Sequence, residues 1–203
     1  MIQLASNASD RTVGIILLVT ALLTVFSMAH HPTHADAASM VYLVHGAMLI
    51  LLSSMFFGLV YYSLRRGPGN IMVLAALVAY LLNYFAQVIA GTVNGFIVPQ
   101  LAERGNAIPH EFFVAAWVTN QAFAQLGTVA TAVAFALWGL DILRNCQGMP
   151  RLVGAFGIVT GIVPLAILLN DSTMDVPTAL TIYGLHAGFV ALLGIRLIQR
   201  EVP

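Results

Sequence analysis

The sequence predicts an all-α fold: a polytopic membrane bundle of six transmembrane helices with both termini cytoplasmic. Three observations predict it. Of 203 residues, 60% are hydrophobic and only 8% charged, against about a quarter charged in soluble domains. Six charge-free apolar runs reach the roughly 20 residues needed to cross about 30 Å of hydrocarbon. The arginines fall almost entirely on one side of those runs.

The first span covers 12–31, opening after Arg11 and ending before Pro32, which lacks the N–H that a further helical turn needs. Arg11, the apolar stretch and Ala35-Asp36-Ala37 also resemble a secretory signal with an A-x-A cleavage site. Its apolar segment of about 18 residues exceeds the usual core, so the span is expected to remain. The second span covers 39–64 and stops at Arg65-Arg66-Gly67-Pro68. The third and fourth, 71–98 and 112–140, are longer than a bilayer requires and should tilt or extend into the interface. The fifth, 152–170, carries Gly154, Gly157 and Gly161, small residues that permit close helix packing. The sixth covers 176–195. Short polar turns leave no room for a soluble domain.

With the N-terminus inside, the cytoplasmic segments hold Arg11, Arg65, Arg66, Arg144, Arg151, Arg196 and Arg200, and the outer ones only Arg104. This bias follows the positive-inside rule. The chain is therefore expected to span a membrane with both termini on the cytoplasmic side, with the lipid bilayer as its first partner.

Composition also excludes function classes. Eight arginines balance eight acids and there is no lysine, so no basic face is available for nucleic acid and no Schiff-base chemistry is possible. One cysteine, Cys146, excludes an internal disulfide, a cysteine-rich zinc site and an iron–sulfur cluster. The P-loop, GxGxxG, GxSxG and HExxH patterns are all missing.

Polar groups inside a membrane are costly and face the protein interior, so their positions point to function. Thr20, Thr24, Ser27 and His31 share one face of the first helix; Tyr80, Asn83, Gln87 and Asn94 share one face of the third. Trp117, Gln121 and Gln125 line the fourth, with Asn120 alongside. His45 and His186 sit within the second and sixth spans. All six histidines lie in or beyond the outer half, and the inner halves are nearly pure Leu, Val, Ala and Phe. The pattern predicts a polar cavity open to the outside and closed toward the cytoplasm.

Three chemistries compete for it. His30, His31, His34 and Asp36, completed by His110 and Glu111 from the next outer loop, have the donor types for Cu or Zn; the alternative is a set of interfacial cap residues. His45 and His186 have the depth to act as axial ligands of haem b, or to hydrogen-bond between helices. Asn83, Gln87, Asn120 and Gln121 offer neutral partners to a small amphipathic ligand such as a quinone, or glue the helices together.

The segments Met28-Ala-His-His-Pro32, Val44-His45-Gly46 and Asn94-Gly-Phe-Ile-Val-Pro99 resemble stretches in uncharacterised proteobacterial membrane proteins. Over nearly the whole chain the layout is similar to a six-span bacterial integral membrane protein family of unknown function, in which an Arg-bearing loop follows the fourth helix and a Gly-rich fifth helix comes next. The resemblance implies the fold and no mechanism. The expected function is binding of a transition metal or haem through histidines, for metal handling or redox chemistry at the outer face. The alternatives are an accessory subunit bound to a membrane-protein partner, and a small-molecule transporter.

Overall fold

The computed structural model describes residues 6–31, 38–170 and 173–199. Among them it is all-helical: α1 (Ser6–Ala29), α2 (Ala38–Arg66), α3 (Ile71–Thr92), α4 (Val98–Glu103), α5 (His110–Asn145), α6 (Pro150–Asn170) and α7 (Val176–Gln199). A single π-helical turn, Val93–Ile97, joins α3 to α4. These two and the turn make one span, so the described residues form six helices long and apolar enough to cross a membrane.

Helix ends follow local chemistry. Arg65 and Arg66 occupy the last turn of α2, where cations meet the negative end of the helix dipole, and Gly67 takes a positive φ of 102° just beyond. The Asn70 carboxamide then caps α3 by accepting from the N–H groups of Met72 and Val73. Pro150 opens α6 at a position where its missing N–H costs nothing. Asp175 caps α7 by accepting from the Thr178 N–H at 2.9 Å.

Sequence reasoning ended the third span at 98; the helix instead runs on to Glu103. Pro99 has no N–H for the Gly95 carbonyl and would clash with it in a regular α-helix. The π turn at Val93–Ile97 widens the backbone just before Pro99, and the helix continues. α1 likewise starts at Ser6 and α5 extends to Asn145, because polar groups there find protein partners rather than water.

The helices close into a ring in the order α1, α2, α3, α5, α6, α7, with α7 packed extensively back on α1. Glycines set the two closest crossings. A Cβ on Gly194 would meet the Gly14 carbonyl oxygen at 2.7 Å, and one on Gly139 would meet that of Gly154 at 2.6 Å. Gly154 and Gly161 thus seat α6 on α5, as the small-residue spacing predicts. The outer face is apolar: Leu22, Phe26, Ile162 and Leu169 are all exposed, Leu169 at 88%. That is the architecture of a multi-pass membrane protein.

The two ends differ. Both described chain ends lie together with the α2–α3 and α5–α6 turns. There the interior is filled by Leu17, Leu59, Tyr62, Trp138, Ile142, Phe189 and Leu193, all fully buried. Beneath this plug Asp141 receives Arg66 Nη2 at 2.6 Å, Asn70 Nδ2 at 2.6 Å and Asn145 Nδ2 at 2.7 Å. Asp10 similarly pairs with Arg65 at 2.8 Å and accepts from the Tyr61 hydroxyl at 2.7 Å. The sequence reading expected Arg anchors at this end; the two aspartates lock them in place.

Candidate functional site

Above the plug the ring encloses a cavity of about 410 Å³, lined by α1, α2, α3, α5 and α7 and by the turn before α7. α6 contributes no wall because α5 and α7 meet in front of it. Trp117, 56% exposed, and Asp175 mark the mouth, at the end opposite the termini. Tyr80, Phe135 and Val190 form the floor. Phe135 and Tyr80 stack there with ring centroids 5.9 Å apart, and Phe135 packs on Phe189 at 4.9 Å.

Near the mouth, α1, α2 and the π turn bring three side chains together. His45 is buried, and its Nδ1 lies 2.9 Å from the Val41 carbonyl oxygen one turn earlier on α2. That oxygen only accepts, so Nδ1 carries the proton and Nε2 presents a lone pair to the cavity. His31 Nε2 and Asn94 Nδ2 each lie 3.3 Å from His45 Nε2. The approach depends on Gly95: a Cβ there would collide with the His45 side chain. The π turn thus places Asn94 toward His45 while its glycine makes room for the imidazole.

Midway down, the Tyr183 hydroxyl donates to Gln87 Oε1 at 2.6 Å, and Gln87 Nε2 reaches the Ala124 carbonyl at 3.5 Å. Gln121 Oε1 accepts from the Met174 N–H at 2.8 Å, fixing the turn before α7 against α5. Asn83 and Asn120 also line the cavity, and neither carboxamide has a hydrogen-bond partner among the described residues. His186 is the deepest imidazole. It is 7% exposed, packs edge-on against Phe135 at 5.2 Å, and its buried Nε2 has no hydrogen-bond partner among the described residues.

The candidate residues therefore separate into three groups. His31, His45, His186, Asn83, Gln87, Asn120 and Gln121 share one cavity. His30 turns away, with Nδ1 2.9 Å from the Phe26 carbonyl oxygen of its own helix and its ring on Phe26. His110 and Glu111 are exposed in the first turn of α5. His34 and Asp36 lie outside the described residues. No group of three or more His, Cys, Asp or Glu side chains forms a metal centre among the described residues. Of the cavity residues, Asn94 was legible as a member of a polar stripe but not as a partner of His45, and Gln87 not as the partner of Tyr183. The pairing needs two different helices at one depth, and spacing along one helix does not report that.

The chain is thus a six-helix apolar bundle of the multi-pass membrane class, with a polar cavity at the end away from its termini. No family model, curated protein or solved structure matches it.

Proposed function

We propose that this is a bacterial inner-membrane protein, with both termini cytoplasmic, whose outward-facing cavity binds a small uncharged molecule with an apolar body and a carbonyl or hydroxyl head. Six of the seven described arginines lie at the end bearing the termini and only Arg104 lies at the other, which supports that orientation.

The observation that carries the ligand reading is His186. A buried polar atom without a partner costs about 1–3 kcal/mol, and a ligand hydrogen-bonded to this imidazole recovers it. The carboxamides of Asn83 and Asn120, which have no hydrogen-bond partner among the described residues, face the same space. Asp175 is the one charged side chain in the described lining apart from the histidines, and it is exposed at the mouth. A charged group carried to the floor would lose its hydration without compensation, so the buried part of the ligand is neutral. The aromatic floor and methionine-bearing walls suit an apolar body. The plug of Tyr62, Trp138 and Leu59 beneath favours a one-ended pocket over a transport path. Haem has less support than a small neutral molecule: a bis-imidazole haem needs both Nε2 atoms directed at one iron, whereas His45 Nε2 points to His31 and Asn94.

A short-chain benzoquinone is the probe. Titrated into the purified protein, it is expected to quench tryptophan emission saturably, since Trp117 lines the cavity. His186→Phe and Asn83→Leu should each weaken binding about tenfold, the value of one hydrogen bond of roughly 1.4 kcal/mol. Ser53→Ala, outside the cavity, should not. Non-saturable quenching, or equal affinity in all four proteins, would overturn the reading.

A further inference from the structure

We infer that His31, His45 and Asn94 form a binding site for a copper(I) ion at the mouth of the cavity, with Met28 as an additional thioether donor. The site occupies the mouth of the cavity whose floor is proposed above to bind a small molecule, and it does not depend on that reading.

Geometry comes first. Two imidazole nitrogens held about 2.0–2.1 Å from one tetrahedral metal lie about 3.3–3.4 Å from each other. His31 Nε2 and His45 Nε2 are 3.3 Å apart, with the rings crossing at 75°. A linear two-coordinate ion would instead need them about 4 Å apart. The spacing is also somewhat long for an N–H···N hydrogen bond, so little is lost when an ion takes the place of the shared proton.

Orientation comes second. Metal-bound histidines characteristically donate their other ring N–H to a carbonyl, which fixes the tautomer that exposes the ligating nitrogen. His45 already has that arrangement through Val41, at 2.9 Å. Coordination needs a lone pair on His31 Nε2 as well, so its proton occupies Nδ1 in the bound state and the ring stays neutral. A half-turn of the Asn94 carboxamide exchanges Nδ2 for Oδ1 and presents a third donor from the position now 3.3 Å from His45 Nε2.

The donor set chooses the ion. His31, His45, Asn94 and Met28 are all neutral, and no carboxylate contacts His45 among the described residues. A divalent ion placed among neutral donors against apolar walls keeps its full double charge partly desolvated, whereas Cu(I) carries half of it. Met28 is buried, lines the same cavity and sits in the last turn of α1, three residues before His31, whose N–H donates to the Met28 carbonyl at 3.2 Å just past the helix end. Thioether and imidazole are donors that Cu(I) accepts readily.

The test uses the full chain in detergent, under reducing conditions, with Cu(I) supplied against the chromogenic chelator bicinchoninate. The parent is expected to withdraw one Cu(I) per chain, and X-ray absorption should show nitrogen or oxygen neighbours near 2 Å. His31→Ala and His45→Ala should each lower the affinity at least a hundredfold. Asn94→Leu and Met28→Leu should lower it about tenfold, within the range for supporting groups around a metal. His110→Ala should leave it unchanged. His45→Gln, which keeps a hydrogen-bonding side chain, should fold as the parent does by circular dichroism and gel filtration yet still lose the metal. His186→Phe, which alters only the floor of the cavity, should take up Cu(I) as the parent does while weakening benzoquinone binding, separating failure of this site from failure of the deeper pocket. The inference is overturned if the chelator strips the parent, if the His31 and His45 variants retain copper at the parent level, or if equimolar Zn(II) displaces it.

Discussion

Replacing Asp141 with Ala is expected to destabilise the bundle by about 3–5 kcal/mol, the usual consequence of removing one partner from a buried ion pair. Asp141 is 1% exposed and accepts from three side chains drawn from α2, the α2–α3 turn and α5 itself. Truncating it leaves the buried Arg66 guanidinium without its counter-charge, and orphans the Asn70 and Asn145 amides in the same stroke. Asp141→Asn should be milder, because an amide oxygen still accepts from Asn70. Replacing the pair together, as Arg66→Met with Asp141→Leu, should recover much of the loss, since both desolvated charges disappear. The measurement is thermal or SDS-induced unfolding followed by circular dichroism. A single Asp141→Ala change as stable as the parent would show that water reaches Arg66 and screens it.

Gly194→Val is expected to be strongly damaging at the helix seam that closes the ring. Its Cβ would meet the Gly14 carbonyl oxygen at 2.7 Å and Leu17 Cβ at 3.1 Å. The first contact is backbone, which cannot swing aside as the end of a side chain would. Overpacking of this kind typically costs about 1–3 kcal/mol and at times more, and in lipid no hydrophobic force restores the lost contact between helices. The α1–α7 crossing joins the first helix to the last and closes the ring. α1 also carries Met28 toward the mouth, about 21 Å along its axis from Gly14, with His31 just past its end. Gly194→Val should therefore lower the melting temperature and weaken Cu(I) retention together. Gly46→Ala, where the nearest atom to a new Cβ is Phe96 at 4.0 Å, should do neither. Equal stability of Gly194→Val and the parent would mean that α1 and α7 separate freely.

Much of this was readable without coordinates, for a physical reason. A bilayer has one thickness and no hydrogen-bonding partners for backbone, so long apolar runs imply helices and leave little choice. The helix ends were readable where a residue acts on its own backbone, as at Asn70 and Gly67. They were misjudged where distant partners extend a helix, as at Asp10 with Arg65 and Asp141 with Arg66. The site was half legible. Stripe spacing on α1, α3 and α5 identified Asn83, Gln87 and His31 as inward-facing, because periodicity within one helix is a local property. Spacing gave no means of choosing among six histidines, and it grouped His30 and His110 with His31 although their side chains lie elsewhere.

The sequence by itself determined the six spans, the clustering of arginine at one end, and the gathering of imidazoles and amides toward the other. Those follow from transfer energies that act residue by residue. The tertiary structure decided which helices are neighbours, that α6 stands outside the cavity, and that His31, His45 and Asn94 meet. It also decided that His186 finds no hydrogen bond among the described residues. Such facts depend on rotation and register between helices. These are set by glycine contacts and one π turn, whose effect lies in the three-dimensional fit of two surfaces rather than in the pattern along either.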